Sequence, residues 1–152
     1  MRNIIMIFSI LILISCHKHT HQEYYFFNDG QWHSDSVVNY NYSILDTTKT
    51  YTLSLSIRHT VDYEYQNLFL FLDGEYKDTV EIILSNKKGK WLGSGISNIR
   101  EFKYILDENK KYFKKGNYKL EVEQAMRYGS EEKIETLQHV LDIGLIISKQ
   151  NE

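Results

Sequence analysis

The chain has no proline in 152 residues and a single cysteine, Cys16. Without proline, any exposed sheet edge has to be guarded by charge or by coverage. A lone cysteine excludes an internal disulfide, so a folded domain must be held by its core alone. No apolar run approaches the roughly 18 to 20 residues of a membrane-spanning helix. The longest, residues 4–13, is broken only by Ser9. There is no block of basic residues, and 18 Lys and Arg against 20 Asp and Glu leave a formal charge of −2. No nucleic acid is expected as a partner on this balance. Phosphate-binding loops are missing too: Gly93-Ser94-Gly95 is followed by Asn98 where a dinucleotide fingerprint needs its third glycine. Internal repeats and low-complexity tracts are absent.

What is present begins with a short basic start, Met1-Arg2-Asn3, the apolar run, and Leu13-Ile14-Ser15-Cys16. That is the shape of a secretory signal peptide. Leu13, Ile14, Ser15 and Cys16 resemble the lipobox of bacterial lipoproteins, in which a small residue precedes the cysteine that receives lipid. The expectation is a cleaved signal peptide over 1–15, a lipidated Cys16 with a polar tether over 16–23, and one domain over 24–152. Two or three acyl chains make attachment to a membrane nearly permanent. Neither His17 nor Lys18 supplies the acidic residues of a surface-export signal, which favours the outer membrane with the domain facing the periplasm.

Past the tether, the dominant period is two. Tyr51-Thr52-Leu53-Ser54-Leu55-Ser56-Ile57 alternates apolar and hydroxyl residues, as in a strand buried on one face and wet on the other. Val80, Ile82 and Leu84 repeat the pattern, as do Tyr118, Leu120 and Val122, and Leu141, Ile143, Leu145 and Ile147. Leu68-Phe69-Leu70-Phe71-Leu72 is apolar throughout and predicts a central strand covered on both faces. Residues 24–27, 37–42 and 99–104 are further strand candidates, with Asp73-Gly74 and Lys115-Gly116-Asn117 as turns. Short helical turns are expected only at 107–113 and 131–137. The class is all-β, and seven or eight antiparallel strands in this length make a β-sandwich or jelly roll.

Candidate chemistry is sparse. No serine stands in a nucleophile elbow, so a hydrolase would need an unheralded serine beside His33, His59 or His139. Glu121 and Glu123 share a strand face about 7 Å apart, near a glycosidase spacing. With Lys119, however, they form the solvated side of a strand whose other face is Tyr118, Leu120 and Val122. His17, His19 and His21 alternate in the tether, where imidazoles lack the second shell that a metal site needs. No enzyme activity, metal or cofactor is expected. Arg58, His59, Asp62, Tyr63, Glu64, Tyr65 and Asn67 form a dense polar and aromatic stretch between two strands, and with Trp91 they are the candidate partner surface. The alternative, a glycan- or ligand-binding jelly roll, requires Trp32, Trp91 and the tyrosines of 63–65 to line one concave face.

Read in order, five blocks resemble the gliding-motility lipoprotein family GldH of Bacteroidetes. They are the lipobox ending at Cys16; Ile57-Arg58-His59-Thr60 with Tyr65-Gln66-Asn67-Leu68; Lys90-Trp91-Leu92-Gly93-Ser94-Gly95; Glu123-Gln124-Ala125-Met126-Arg127; and Val140-Leu141-Asp142-Ile143-Gly144-Leu145. The resemblance implies a non-enzymatic envelope component that supports movement over surfaces. It also implies a link to type IX secretion, with other envelope or gliding-machinery proteins as partners.

Overall fold

The computed structural model describes residues 19–130 and 132–150. The expected signal peptide, Leu13, Ile14, Ser15 and Cys16 lie outside the described residues. Ten strands follow one another: β1 (His19–Phe26), β2 (Gln31–His33), β3 (Val38–Ile44), β4 (Thr50–Thr60), β5 (Asn67–Gly74), β6 (Asp78–Ile83), β7 (Ile99–Lys111), β8 (Gly116–Gln124), β9 (Thr136–Gln138) and β10 (Val140–Lys149). Among the described residues there is no α-helix, only a 3-10 turn at Asn28–Gly30.

The eight long strands pair as a nested antiparallel hairpin, β1 with β10, β3 with β8, β4 with β7 and β5 with β6. Lateral pairing of β10 with β4 and of β8 with β5 rolls that hairpin into two four-stranded sheets, β1-β10-β4-β7 and β3-β8-β5-β6. This is jelly-roll topology. Alternation along β3 and β4 turns Val38, Tyr40, Tyr42 and Ile44 from one sheet, and Tyr51, Leu53, Leu55 and Ile57 from the other, into a shared core. A two-stranded sheet of β2 and β9 adds Trp32, fully buried and stacked on Phe27 at 4.6 Å.

The topology sorts the connections onto two ends. At one end, here the terminal end, lie the short turns 45–49, 75–77 and 112–115, together with the start of β1 and the finish of β10. At the other, the loop end, lie the longer connections 27–37, 61–66, 84–98 and 125–139. β4 runs between them with 11 residues, so the ends stand on the order of 35 Å apart at about 3.3 Å per residue.

Several expectations need correction. Residues 107–111 form no helical turn; they continue β7, whose 13 residues pair along β4. Among the described residues of the second stretch, 132–137, there is no helical turn, and β9 begins at Thr136. Ordered strand begins at His19, not near Tyr24, because an edge strand is held by backbone pairing to β10 and needs no apolar side chains. The two faces of the sharpest strands also differ from their patterns. Ser54 and Ser56 on β4 are fully buried, since the register sets Ser54 between Ile146 and Ile105, and Ser56 between Gly144 and Lys103. β5 is central, between β6 and β8, but its second face is open, with Phe71 42% exposed.

Candidate functional site

Arg58 and Asp142 meet on the outer face of the β1-β10-β4-β7 sheet, where the register places them opposite one another. The guanidinium grips the carboxylate through Nε at 3.0 and 2.8 Å and through a terminal nitrogen at 2.7 Å. Hydrogen bonding to Asp142 holds the guanidinium charged more firmly than usual. The Asp142 side chain is only 1% exposed and that of Arg58 37%. A charge so buried is tolerable only with such a partner. The Arg58 head also lies 5.8 Å from the centroid of the Phe26 ring, itself 63% exposed. On its other side Glu101 accepts a hydrogen bond from Ser56 at 2.7 Å. Phe26, Arg58 and Glu101 thus form a strip across β1, β4 and β7. Gly144 makes room in it, because a Cβ there would meet the Tyr24 ring at 2.4 Å.

One residue on, the alternation sends His59 inward. It is fully buried, and its Nδ1 lies 2.8 Å from the carbonyl of Thr60, to which the neutral ring donates. Its Nε2 has no hydrogen-bond partner. Trp91 packs edge-on against it at 4.5 Å, Tyr63 lies 5.6 Å away, and Tyr65 meets Tyr63 at 5.6 Å. Tyr63 is itself buried and donates its hydroxyl to the carbonyl of Asn67 at 3.0 Å. Trp91 reaches this cluster because the segment after it folds back on β7. Ser94 and Glu101 exchange backbone hydrogen bonds at 3.0 and 2.7 Å. At Gly93 and Gly95 a Cβ would lie 2.3 and 2.0 Å from the carbonyl oxygens of Glu101 and Ile99. These glycines permit close backbone approach, not the positive φ of a turn. The same segment covers the start of the free edge of β7, a task that proline is absent to perform.

Burial depresses the His59 pKa from its ordinary 6.5. The ring therefore binds a proton more readily in the unfolded chain than in the folded one. Its neutral state costs nothing above pH 6.5, and stability falls as the pH drops from there through the lowered folded-state value. We expect thermal unfolding temperatures to decline between pH 6.5 and about 5, above the main carboxylate range. In His59→Asn that decline flattens. An equal decline in the variant assigns the dependence to another group.

The candidate partner residues therefore divide. His59 and Tyr63 are core residues, drawn inward by strand alternation and by the aromatic packing beneath the 61–66 loop, and present nothing to a partner. Trp91 and Tyr65 are half-buried covers of that cluster. The Asn67 amide is committed to Glu81 at 2.6 Å. Asp62 and Glu64 are exposed, and Arg58 is half-open on the sheet face. The glycan platform is not formed, since Trp32 and Tyr63 are buried and Trp91 lies against His59. Among the described residues, no group of three or more His, Cys, Asp or Glu is placed to hold a metal ion. No helix there is long and apolar enough to cross a membrane.

Other residues at the loop end escaped the sequence reading. Leu92, Ile96 and Tyr128 are exposed, Ile96 to 88%, and Tyr128 lines a hollow with the half-buried Tyr65. Their signal was present: Ile96 is an apolar residue set in a turn cluster, Gly95-Ile96-Ser97-Asn98, where no periodicity calls for one. Asp142 had a comparable signal as the lone charge in the apolar run of 140–147.

The family model described as GldH lipoprotein matches residues 19–147. A protein named "Gliding motility lipoprotein GldH homolog" from Christiangramia forsetii is 36% identical over an alignment of 155 residues, covering 97% of this chain and 94% of that protein. "Gliding motility lipoprotein GldH" from Flavobacterium johnsoniae is 32% identical over 154, covering 97% and 96%. Among solved structures, the infectious bursal disease virus VP2 subviral particle aligns with 86% of this chain and 34% of that one. Its TM-score is 0.32 at 15% identity, too slight a likeness to bear on function.

Proposed function

Because the chain belongs to the GldH lipoprotein family, we propose that it is a non-enzymatic lipoprotein of the cell envelope. In this reading it is held by lipid on Cys16 and supports gliding motility and the associated type IX secretion machinery through contacts with other envelope proteins. The observation that carries the reading is the match to named gliding-motility lipoproteins over 97% of the chain, a span that takes in Cys16. The domain faces the periplasm from the outer membrane, in keeping with the non-acidic His17 and Lys18.

The working surface is the loop end. Asp62, Glu64, Tyr65, Leu92, Ile96 and Tyr128 lie there, away from the end at which β1 begins. Aromatic and aliphatic anchors ringed by charge suit a protein partner, and the strip of Phe26, Arg58 and Glu101 extends the surface onto the sheet. The test is Cys16→Ala, expressed in a gliding bacterium that lacks its own member of the family. The variant should take up no labelled palmitate and fail to restore colony spreading, whereas the unaltered chain does both. Palmitate on the variant, or full spreading without lipid, contradicts the reading.

A further inference from the structure

We infer that the terminal end of the jelly roll is a membrane-docking surface, which rests an anionic bilayer against the turns 45–49 and 112–115. The inference rests on the proposed lipid at Cys16 and goes beyond it, by fixing how the domain stands on the membrane. Only His17 and Lys18 separate Cys16 from His19, where β1 starts. Three residue steps span at most about 10 Å. A lipid on Cys16 therefore brings the end of the sandwich at which β1 starts to within about 10 Å of the bilayer.

That end carries the most exposed aromatic side chain of the domain. Phe113 is 92% exposed at the tip of Lys111-Tyr112-Phe113-Lys114-Lys115. Leu45 is 75% exposed on the neighbouring turn, in a hollow that it lines with His21 and Lys149. β1 and β7 are the two outer strands of their sheet, three strand spacings or about 15 Å apart. Leu45 follows β3 beside the start of β1, and Phe113 follows β7, so the end presents two separate apolar tips. Neither has a role in the core. Tyr112, between Phe113 and β7, is buried against Tyr42, Tyr51 and Tyr118, which fixes the turn and holds the Phe113 tip outward.

The charges agree. Lys111, Lys114 and Lys115 flank Phe113 and are exposed. Several acids of this end are engaged locally: Asp46 with Lys149 at 2.5 Å, Glu75 with Lys110 at 3.0 Å, and Asp107 with the Tyr76 hydroxyl at 2.5 Å. Asp73, Asp78 and Glu108 remain exposed and lie off the 112–115 tip, on β5, β6 and β7. An aromatic tip collared by lysine, with an aliphatic second point, is the chemistry of an interfacial bilayer contact. Lysines near an anionic surface each add roughly a fivefold preference for it.

Because the one native cysteine is the lipidation site, a single introduced cysteine can be labelled selectively with a nitroxide. The lipidated full chain carrying Leu45→Cys, Phe113→Cys or Ile96→Cys is reconstituted into vesicles containing phosphatidylglycerol. Spin labels are then read for access by oxygen, which favours lipid, and by a nickel chelate, which favours water. Labels at 45 and 113 should favour oxygen, and the label at 96, at the loop end, should favour nickel. Lys114→Glu with Lys115→Glu should shift the label at 45 toward nickel, with at least about a tenfold loss of the docked population. Failure of the protein to float with vesicles overturns the lipid reading itself. Flotation with labels at 45 and 113 in water overturns the docking alone. So does immobilisation of those labels without oxygen access, which marks a protein contact instead.

Discussion

Arg58→Ala is expected to lower stability by about 3 kcal/mol, roughly 10 °C in unfolding temperature for a domain of this size. The side chain lost is not itself deep, being 37% exposed, but it leaves the Asp142 carboxylate, 1% exposed, without its bidentate partner. Removing one member of a buried pair costs about 3 to 5 kcal/mol because the remaining charge stays desolvated, and the open side of Arg58 puts this case at the lower end. The companion measurement is Arg58→Ala with Asp142→Asn, which removes both charges and should recover a substantial part of the loss. If the double variant is as unstable as the sum of the two single ones, the pair is not coupled and Arg58 acts through its packing on Phe26. The same pair ties β4 to β10 on the sheet face that extends the proposed working surface, so on that proposal its loss should also weaken partner capture in variants that remain folded.

The second large effect is at Tyr63. Read as a loop between two strands, 61–66 suggests two exposed tyrosines whose removal spares the fold. The structure buries Tyr63 between His59, Trp91 and Tyr65 and engages its hydroxyl. Tyr63→Ala should therefore cost about 3 to 5 kcal/mol, as for other buried aromatics. Tyr63→Phe, losing only the hydrogen bond to Asn67, should cost about 1 kcal/mol. Tyr65→Ala, at a half-buried rim, should cost markedly less than Tyr63→Ala. Denaturant midpoints at unchanged slope measure all three. Equal small effects for Tyr63→Ala and Tyr65→Ala would return Tyr63 to the surface.

Strand placement was legible wherever apolar residues recur at every second position along a strand. Val80 and Ile82, Tyr118, Leu120 and Val122, and Ile143, Leu145 and Ile147 all sit in the strands that their alternation predicts. Strand order was not legible, because register and pairing depend on contacts between residues far apart in the chain. Arg58 with Asp142, 84 positions away, is the clearest instance. Which outer face is covered also escapes a period of two. Ser54 on β4 is hidden between Ile146 and Ile105, whereas Phe71 on β5 stands open, so local hydrophobicity gives the reverse of the truth at both places. The candidate site suffered likewise. Arg58 and His59 are adjacent in sequence and face opposite sides of a sheet, one half-exposed and the other fully buried.

In the proposed orientation, the loop end meets an envelope protein while the terminal end rests at the membrane. A photo-crosslinking amino acid at Ile96, activated in intact envelopes and compared with the same residue at Phe113, tests it most directly. The expected result is a discrete protein adduct from position 96 that is lost on competition by unlabelled chain, and lipid adducts from position 113. A protein adduct from 113 with none from 96 would invert the orientation and contradict it.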